Sequence, residues 1–305
     1  MAALFEQMLV LYIFILTGLF LGKWRKDAAD KSSLLSFLLV NLFFPCKMFA
    51  NFSENFTVSY LMNNYLTIFI SLGILCVLIL AGYLTGWFLG GKSYESKVYN
   101  YSVTVSNYGF FGYVLVENAM GPAALNNMMV FCLPFAVYCY TFGVALLLDK
   151  KVSFRSLCNP TTLSIALGMV FGLLGLQLPH LLTNVLSSAS ACVGPVSMVL
   201  VGLVLAGYNW KQLLPTWQTW VLCGVRLLAV PALVLGICWG LGQVITLPAS
   251  VYPSAVLMAC MPCGLNPVVY PKLIGRDCSL GAKMIPLSSI ISCATIPMWL
   301  WIMGI

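Results

Sequence analysis

The chain has 305 residues, 61% of them hydrophobic and 8% charged, with a formal net charge of +7 and a mean hydropathy of +0.97. A soluble domain carries roughly 25% charged residues, so composition excludes a soluble protein and leaves almost no room for an extramembrane domain. The basic residues are scattered through short segments between apolar runs, which excludes a nucleic-acid partner and points to membrane topology in the lipid bilayer.

Residues 1–6 lack a basic n-region and no small-residue cleavage site follows the first apolar run, so no signal peptide is expected. A membrane span needs about 20 apolar residues. Ten candidates follow in order, at 5–22, 34–51, 65–90, 98–119, 125–148, 161–178, 185–207, 217–241, 252–273 and 284–303. The loops between them alternate in charge. Lys23, Arg25, Lys26 and Lys31 follow the first span, and Lys92 and Lys97 the third. Lys150, Lys151 and Arg155 follow the fifth, Lys211 the seventh, and Lys272, Arg276 and Lys283 surround the loop after the ninth. The even-numbered loops, among them NFSENFTVSYLMNN after the second span, hold no Lys or Arg. Basic loops stay in the cytoplasm, so both termini are expected outside a plasma (inner) membrane.

Five spans return the chain to the side opposite its start, so a second five-span unit must be inverted relative to the first. The halves are expected at 1–150 and 151–305. Pro45 answers Pro195, and Pro134 answers Pro286. The ninth span is badly written for a helix, with Pro262, Gly264, Asn266 and Pro267 at its centre, and SNYGFFGY in the fourth answers it. Proline removes a backbone donor and clashes with the preceding turn. In hydrocarbon such a break is tolerated only when buried in protein or lining a cavity. Paired breaks in two halves point to the binding site of an inverted-repeat carrier.

The chain resembles the auxin efflux carrier family, the mostly bacterial permeases related to the plant PIN carriers. The resemblance rests on LLSFLLVNLFFPCKMFA (34–50), SNYGFFGYVL (106–115) and NPTTLSIALGMVFGLLGLQLP (159–179). It continues through GPVSMVLVGLVLAG (194–207), AVLMACMPCGLNPVVYPKLIG (255–275) and IPLSSIISCATIPMWLWI (285–302), covering nearly the whole chain. It implies an all-α integral membrane fold of ten helices in two inverted five-helix repeats, with broken helices 4 and 9 crossing, as in bile-acid/sodium symporter-like folds. It further implies an elevator mechanism in which spans 3–5 and 8–10 move against a scaffold of spans 1, 2, 6 and 7. The implied substrates are auxin or small carboxylates such as malate and malonate. Proton or sodium coupling and a homodimer stay open. The family's crossover proline maps onto Pro262, whereas the fourth span carries Asn107 and Gly109 in place of a central proline.

Asn107 and Asn266 read either as interhelical hydrogen-bonding groups or as donors to a substrate carboxylate, with Gly109 and Pro262 opening the backbone beside them. Lys47 either snorkels to the outer interface or attracts an anion from within the span, and Asn41 could share its cavity. Arg226, inside the eighth span, either snorkels or pairs with carbonyls at a helix end, or takes part in substrate or counter-ion work. Glu117 is a candidate for coupling to a proton or cation, or an interface charge. Gly18 with Gly22, and Gly168 with Gly172, have the spacing of close helix packing. The twelve cysteines show no framework spacing, and Cys260 and Cys263 form a lone CxxC. With one histidine, His180, expected in an outer loop, neither metal nor cofactor is expected. The absence of a P-loop argues against an ATP-driven pump, and the absence of a nucleophile with a nearby base argues against an enzyme. The alternative to a carrier is a receptor or channel binding a small organic ligand at the same crossover.

Overall fold

A computed structural model describes residues 2–24 and 32–304; Arg25, Lys26 and Lys31 of the first basic loop lie outside the described residues. The described chain is helical, with one isolated β-bridge and no strand among the described residues. The helices are α1 (Ala2–Trp24), α2 (Ser32–Asn55), α3 (Val58–Gly90), α4 (Tyr94–Thr104), α5 (108–120), α6 (Pro122–Phe131) and α7 (Leu133–Leu148). They continue with α8 (Pro160–Leu174), α9 (His180–Ala206), α10 (Trp217–Gly242), α11 (Val251–Cys260), α12 (Asn266–Leu273) and α13 (Ser279–Ile302).

Among the described residues, six of these helices are long and apolar enough to cross a membrane: α1, α2, α3, α9, α10 and α13. The bent pair α6 and α7, which meet at 52°, makes up to seven. The expected spans 98–119 and 252–273 fall short because each is interrupted, and α8, at 15 residues, is shorter than expected for 161–178. The protein is a multi-pass membrane protein.

Several expected loops are mostly helix. NFSENFTVSYLMNN shrinks to Phe56 and Thr57, because α2 runs to Asn55 and α3 begins at Val58. That stretch contains no Gly or Pro, and buried Phe52 packs edge-on against Phe56. His180 opens α9 instead of lying in a loop. The turn before it is made by Gly175, at φ +63°, a left-handed conformation that suits glycine. Gly121, at φ +87°, is the whole connection between α5 and α6.

The chain divides into two compact units. One contains Glu6–Tyr65 and Phe154–Gly207. Its helices approach so closely at glycine that a Cβ on Gly18 would lie 2.2 Å from the Val199 carbonyl oxygen, and one on Gly22 2.4 Å from the Ala206 Cβ. On α8, a Cβ on Gly172 would meet the Phe52 oxygen at 2.5 Å and one on Gly168 the Phe49 oxygen at 2.9 Å. Phe49 and Phe171 then pack edge-on at 5.3 Å. Small residues let backbones approach where lipid offers no hydrophobic drive.

The other unit contains Met1–Phe5, Leu66–Ser153 and Tyr208–Ile305. Here α3 carries a second small-residue stripe: Cβ atoms on Gly82, Gly86 and Gly90 would lie 2.5, 2.4 and 2.5 Å from atoms of Thr104, Ser96 and Ser96. The stripe clamps α4 against α3 along its length. Residues Ser254–Cys263, α11 and the start of its break, are buried throughout, as a helix apolar on every side must be.

Candidate functional site: a crossover of two broken helices

Both interruptions lie in this second unit, and they meet. Helix α11 stops because Pro262 disfavours a helical conformation in the residue before it. Met261 is accordingly extended, at φ −68° and ψ 146°. Helix α12 restarts at Asn266 with Pro267 in its first turn, where a missing N–H costs nothing. The break after α4 has no proline, so something else must hold it open. Val105 is extended at φ −115° and ψ 117°, and Asn107 sits at φ −80° and ψ 45°. Asn107 N–H donates to the Pro262 carbonyl at 2.8 Å, and Ser106 pairs with Cys263 in an antiparallel bridge. The Ser106 hydroxyl donates to the Met258 carbonyl at 2.8 Å, and Cys263 N–H donates to the Ser288 hydroxyl at 3.1 Å. The first break is therefore written into the second: each supplies the hydrogen-bonding partners that hydrocarbon lacks. α5 resumes with a π turn, Tyr108–Gly112, in which the Asn107 carbonyl accepts from Phe111 and Gly112 at 3.2 and 3.0 Å.

Arg226 completes the crossover. It lies in a π turn of α10, Val225–Ala229, and is 0% exposed. Its Nη1 donates to Val103 O at 2.7 Å, at the C-terminal end of α4. Its Nη2 and Nε donate to Met258 O and Met261 O, both at 3.3 Å, at the C-terminal end of α11. The last carbonyls of a helix have no intrahelical partner and carry the negative end of its dipole. One guanidinium serves both ends. No carboxylate lies within ion-pair distance of it among the described residues.

The two asparagines are not equivalent. The Asn107 side chain makes no hydrogen bond among the described residues, although the residue is 9% exposed. Gly264 lies against it: a Cβ there would be 3.7 Å from the Asn107 Cβ. Asn266 Nδ2 instead donates to the Tyr101 hydroxyl at 2.5 Å and to Cys139 Sγ at 3.5 Å. Tyr101 and Cys139 are themselves 3.2 Å apart. Gly109 is half-buried in the π turn, Pro262 is buried, and Glu117 is half-buried at the far end of α5. Asn41 and Lys47 belong to the other unit. Asn41 is exposed and donates to its own helix at Phe37 O, 2.9 Å away, whereas Lys47 is 4% exposed and so does not extend to the surface. Cys260 and Cys263 are buried free thiols. Among the described residues no group of three or more His, Cys, Asp or Glu is placed to hold a metal.

Sequence reading missed Ser106, Tyr101, Cys139 and Ser288. The available signal was the density of polar atoms in YNYSVTVSNYGFFGY, where four tyrosines stand in a segment meant for lipid depth. A separate cavity of about 820 Å³ lies against α3, α4 and α7, with Leu75, Ile79, Asn100 and Tyr138 among its walls. None of the crossover residues lines it.

Interrupted helices meeting at their centres in a multi-pass helical protein are the build of a membrane carrier. A family model described as membrane transport protein matches residues 3–151 and again 144–300, so the chain belongs to this family, that of the auxin efflux carriers, as two repeats of one unit. No curated protein matches the chain.

Proposed function

We propose that the protein is a secondary or facilitative carrier of small organic anions, auxin-like compounds or mono- and dicarboxylates such as malate or malonate, working by elevator-type alternating access. The observation that carries this reading is the unpartnered Asn107 amide at the point where the two breaks meet. A carboxylate reaching it would gain a donor in surroundings of low dielectric, where such a bond counts for more than at a surface. The buried charge of Arg226 beside both breaks makes the surroundings favourable to an anion and unfavourable to a cation. Ten spans with both termini outside, and Asn266, Gly109 and Pro262 as further substrate-contacting residues, belong to the same proposal. Glu117 would couple a proton or cation.

Counterflow of labelled malate and malonate in proteoliposomes, preceded by a thermal-shift panel of mono- and dicarboxylates on purified protein, tests the reading. A carrier accelerates uptake when unlabelled substrate is preloaded, and a channel does not. Stabilisation by no carboxylate in the panel overturns the substrate class.

A further inference from the structure

Arg226 presents three donors, at 2.7, 3.3 and 3.3 Å, to carbonyls of two different broken helices. Carbonyls freed by an unwound helix, together with the C-terminal ends of half-helices, are the groups with which inverted-repeat carriers coordinate a sodium ion. Here Val103 O, Met258 O and Met261 O are such groups, and the guanidinium already engages them. We propose that Arg226 is a tethered cation occupying the place of a free coupling cation, so that the crossover is assembled without sodium or any other alkali ion. The inference rests on reading the crossover as the binding site.

Three observations support it. Arg226 is wholly buried, so its charge is not serving solvent or an interface. Among the described residues it has no carboxylate partner, so its role is not that of one half of an ion pair. It sits in a π turn, a wider helical winding often found at functional positions, and the Leu227 carbonyl in that turn accepts from Trp299 Nε1 at 2.8 Å. The turn is thus fixed from outside, and Arg226 is held where its three donors diverge to α4 and α11. As a positioning residue, it would keep both breaks in register whether or not substrate is bound.

The test needs no substrate, so its failure is separable from failure of the carrier reading. Thermal unfolding of the purified protein is measured in choline, lithium, sodium and potassium chloride at matched ionic strength. Wild type should unfold at one temperature in all four. A saturable rise in sodium, lithium or potassium over choline overturns the inference. Arg226→Ala should unfold several degrees lower and recover at least half of that loss in millimolar methylguanidinium, and part of it in sodium over choline. Arg226→Lys should keep more stability than Arg226→Ala. An Arg226→Ala protein that no cation rescues overturns the tethered-cation role and leaves a structural hydrogen-bonding arginine. If Arg226→Ala does not fold, the wild-type comparison and Arg226→Lys in the same four salts decide.

Discussion

Asn107 and Asn266 each stand beside the break of their own segment, yet their side chains are spent differently. Asn266 Nδ2 is committed to Tyr101 and Cys139, while the Asn107 amide makes no hydrogen bond among the described residues. Removing a donor to a charged ligand costs about 1.5–3 kcal/mol, or roughly ten- to hundred-fold in affinity. Asn107→Ala should therefore weaken carboxylate binding by that factor with little change in unfolding temperature. Asn266→Ala should first lose stability, about 1 kcal/mol for the neutral hydrogen bond it deletes inside the fold, with a smaller loss of binding than Asn107→Ala, because its amide is shared with Tyr101 and Cys139. Equilibrium binding and thermal unfolding on the same monodisperse samples separate the two. Equal affinity for Asn107→Ala and wild type would place substrate elsewhere.

At the scale of the helices, α4 is held by α3 as much as by the crossover. The Gly82–Gly86–Gly90 stripe leaves no room for a methyl group, because a Cβ on Gly82 would sit 2.6 Å from Asn100 O and 2.5 Å from Thr104 Oγ1. Thr104 is the last residue of α4 before the break, and its hydroxyl already donates to Leu78 O at 3.2 Å and Asn100 O at 3.0 Å. Gly82→Ala must push α3 and α4 apart, an overpacking change of about 1–3 kcal/mol. Gly73, on the same helix, has open space around its would-be Cβ. Gly73→Ala should be neutral or stabilising by up to about 1 kcal/mol, since glycine is a poor helix former. Thermal unfolding of the pair checks this, and equal stabilisation of both variants would mean that helix propensity and not close approach governs α3. Much at this scale was legible beforehand. Pro262 and Pro267 announced the second break by local chemistry alone, and the spacings Gly18–Gly22 and Gly168–Gly172 announced close packing. The first break was harder to read, because Ser106 and Asn107 are opened by bonds to Met258 and Pro262, about 150 positions away. Nor could the sequence say which carbonyls Arg226 meets, since those partners come from two segments on either side of it.

For the whole molecule, alternation of charge between loops carries the proposed topology, and the basic segments can be followed into three dimensions at one place. Lys97, Asp149 and Arg276 come from three different loops assigned to the cytoplasm, after spans 3, 5 and 9, and they converge. Asp149 pairs with Lys97 and, at 3.0 Å, with Arg276, whose guanidinium lies 4.4 Å over the Tyr94 ring. Single cysteines at positions 92 and 276 in a cysteine-free background should accordingly react with an impermeant reagent only from the cytoplasmic side. Labelling of either by an impermeant reagent added outside would break the proposed topology. The same cluster sets a pH dependence. The hydrogen bond and charge of Lys97, then the charge of Arg276, hold the Asp149 carboxyl below its usual range. A carboxyl depressed in the folded state binds its proton more readily when unfolded, so its stabilisation is present above the unfolded pKa of about 3.9 and disappears as pH falls through the folded value. Asp149→Asn is the right comparison, because Asp149 has φ +55° and asparagine tolerates that left-handed backbone. The variant should unfold at a lower temperature than wild type at pH 7, and the gap should narrow on acidification through the region below about pH 4. The gap should also shrink in 1 M salt, where the Debye length falls to about 3 Å and exposed pairs are screened. A gap that is constant across pH and salt would assign Asp149 to turn geometry, and the convergence of the three loops would then owe nothing to their charges.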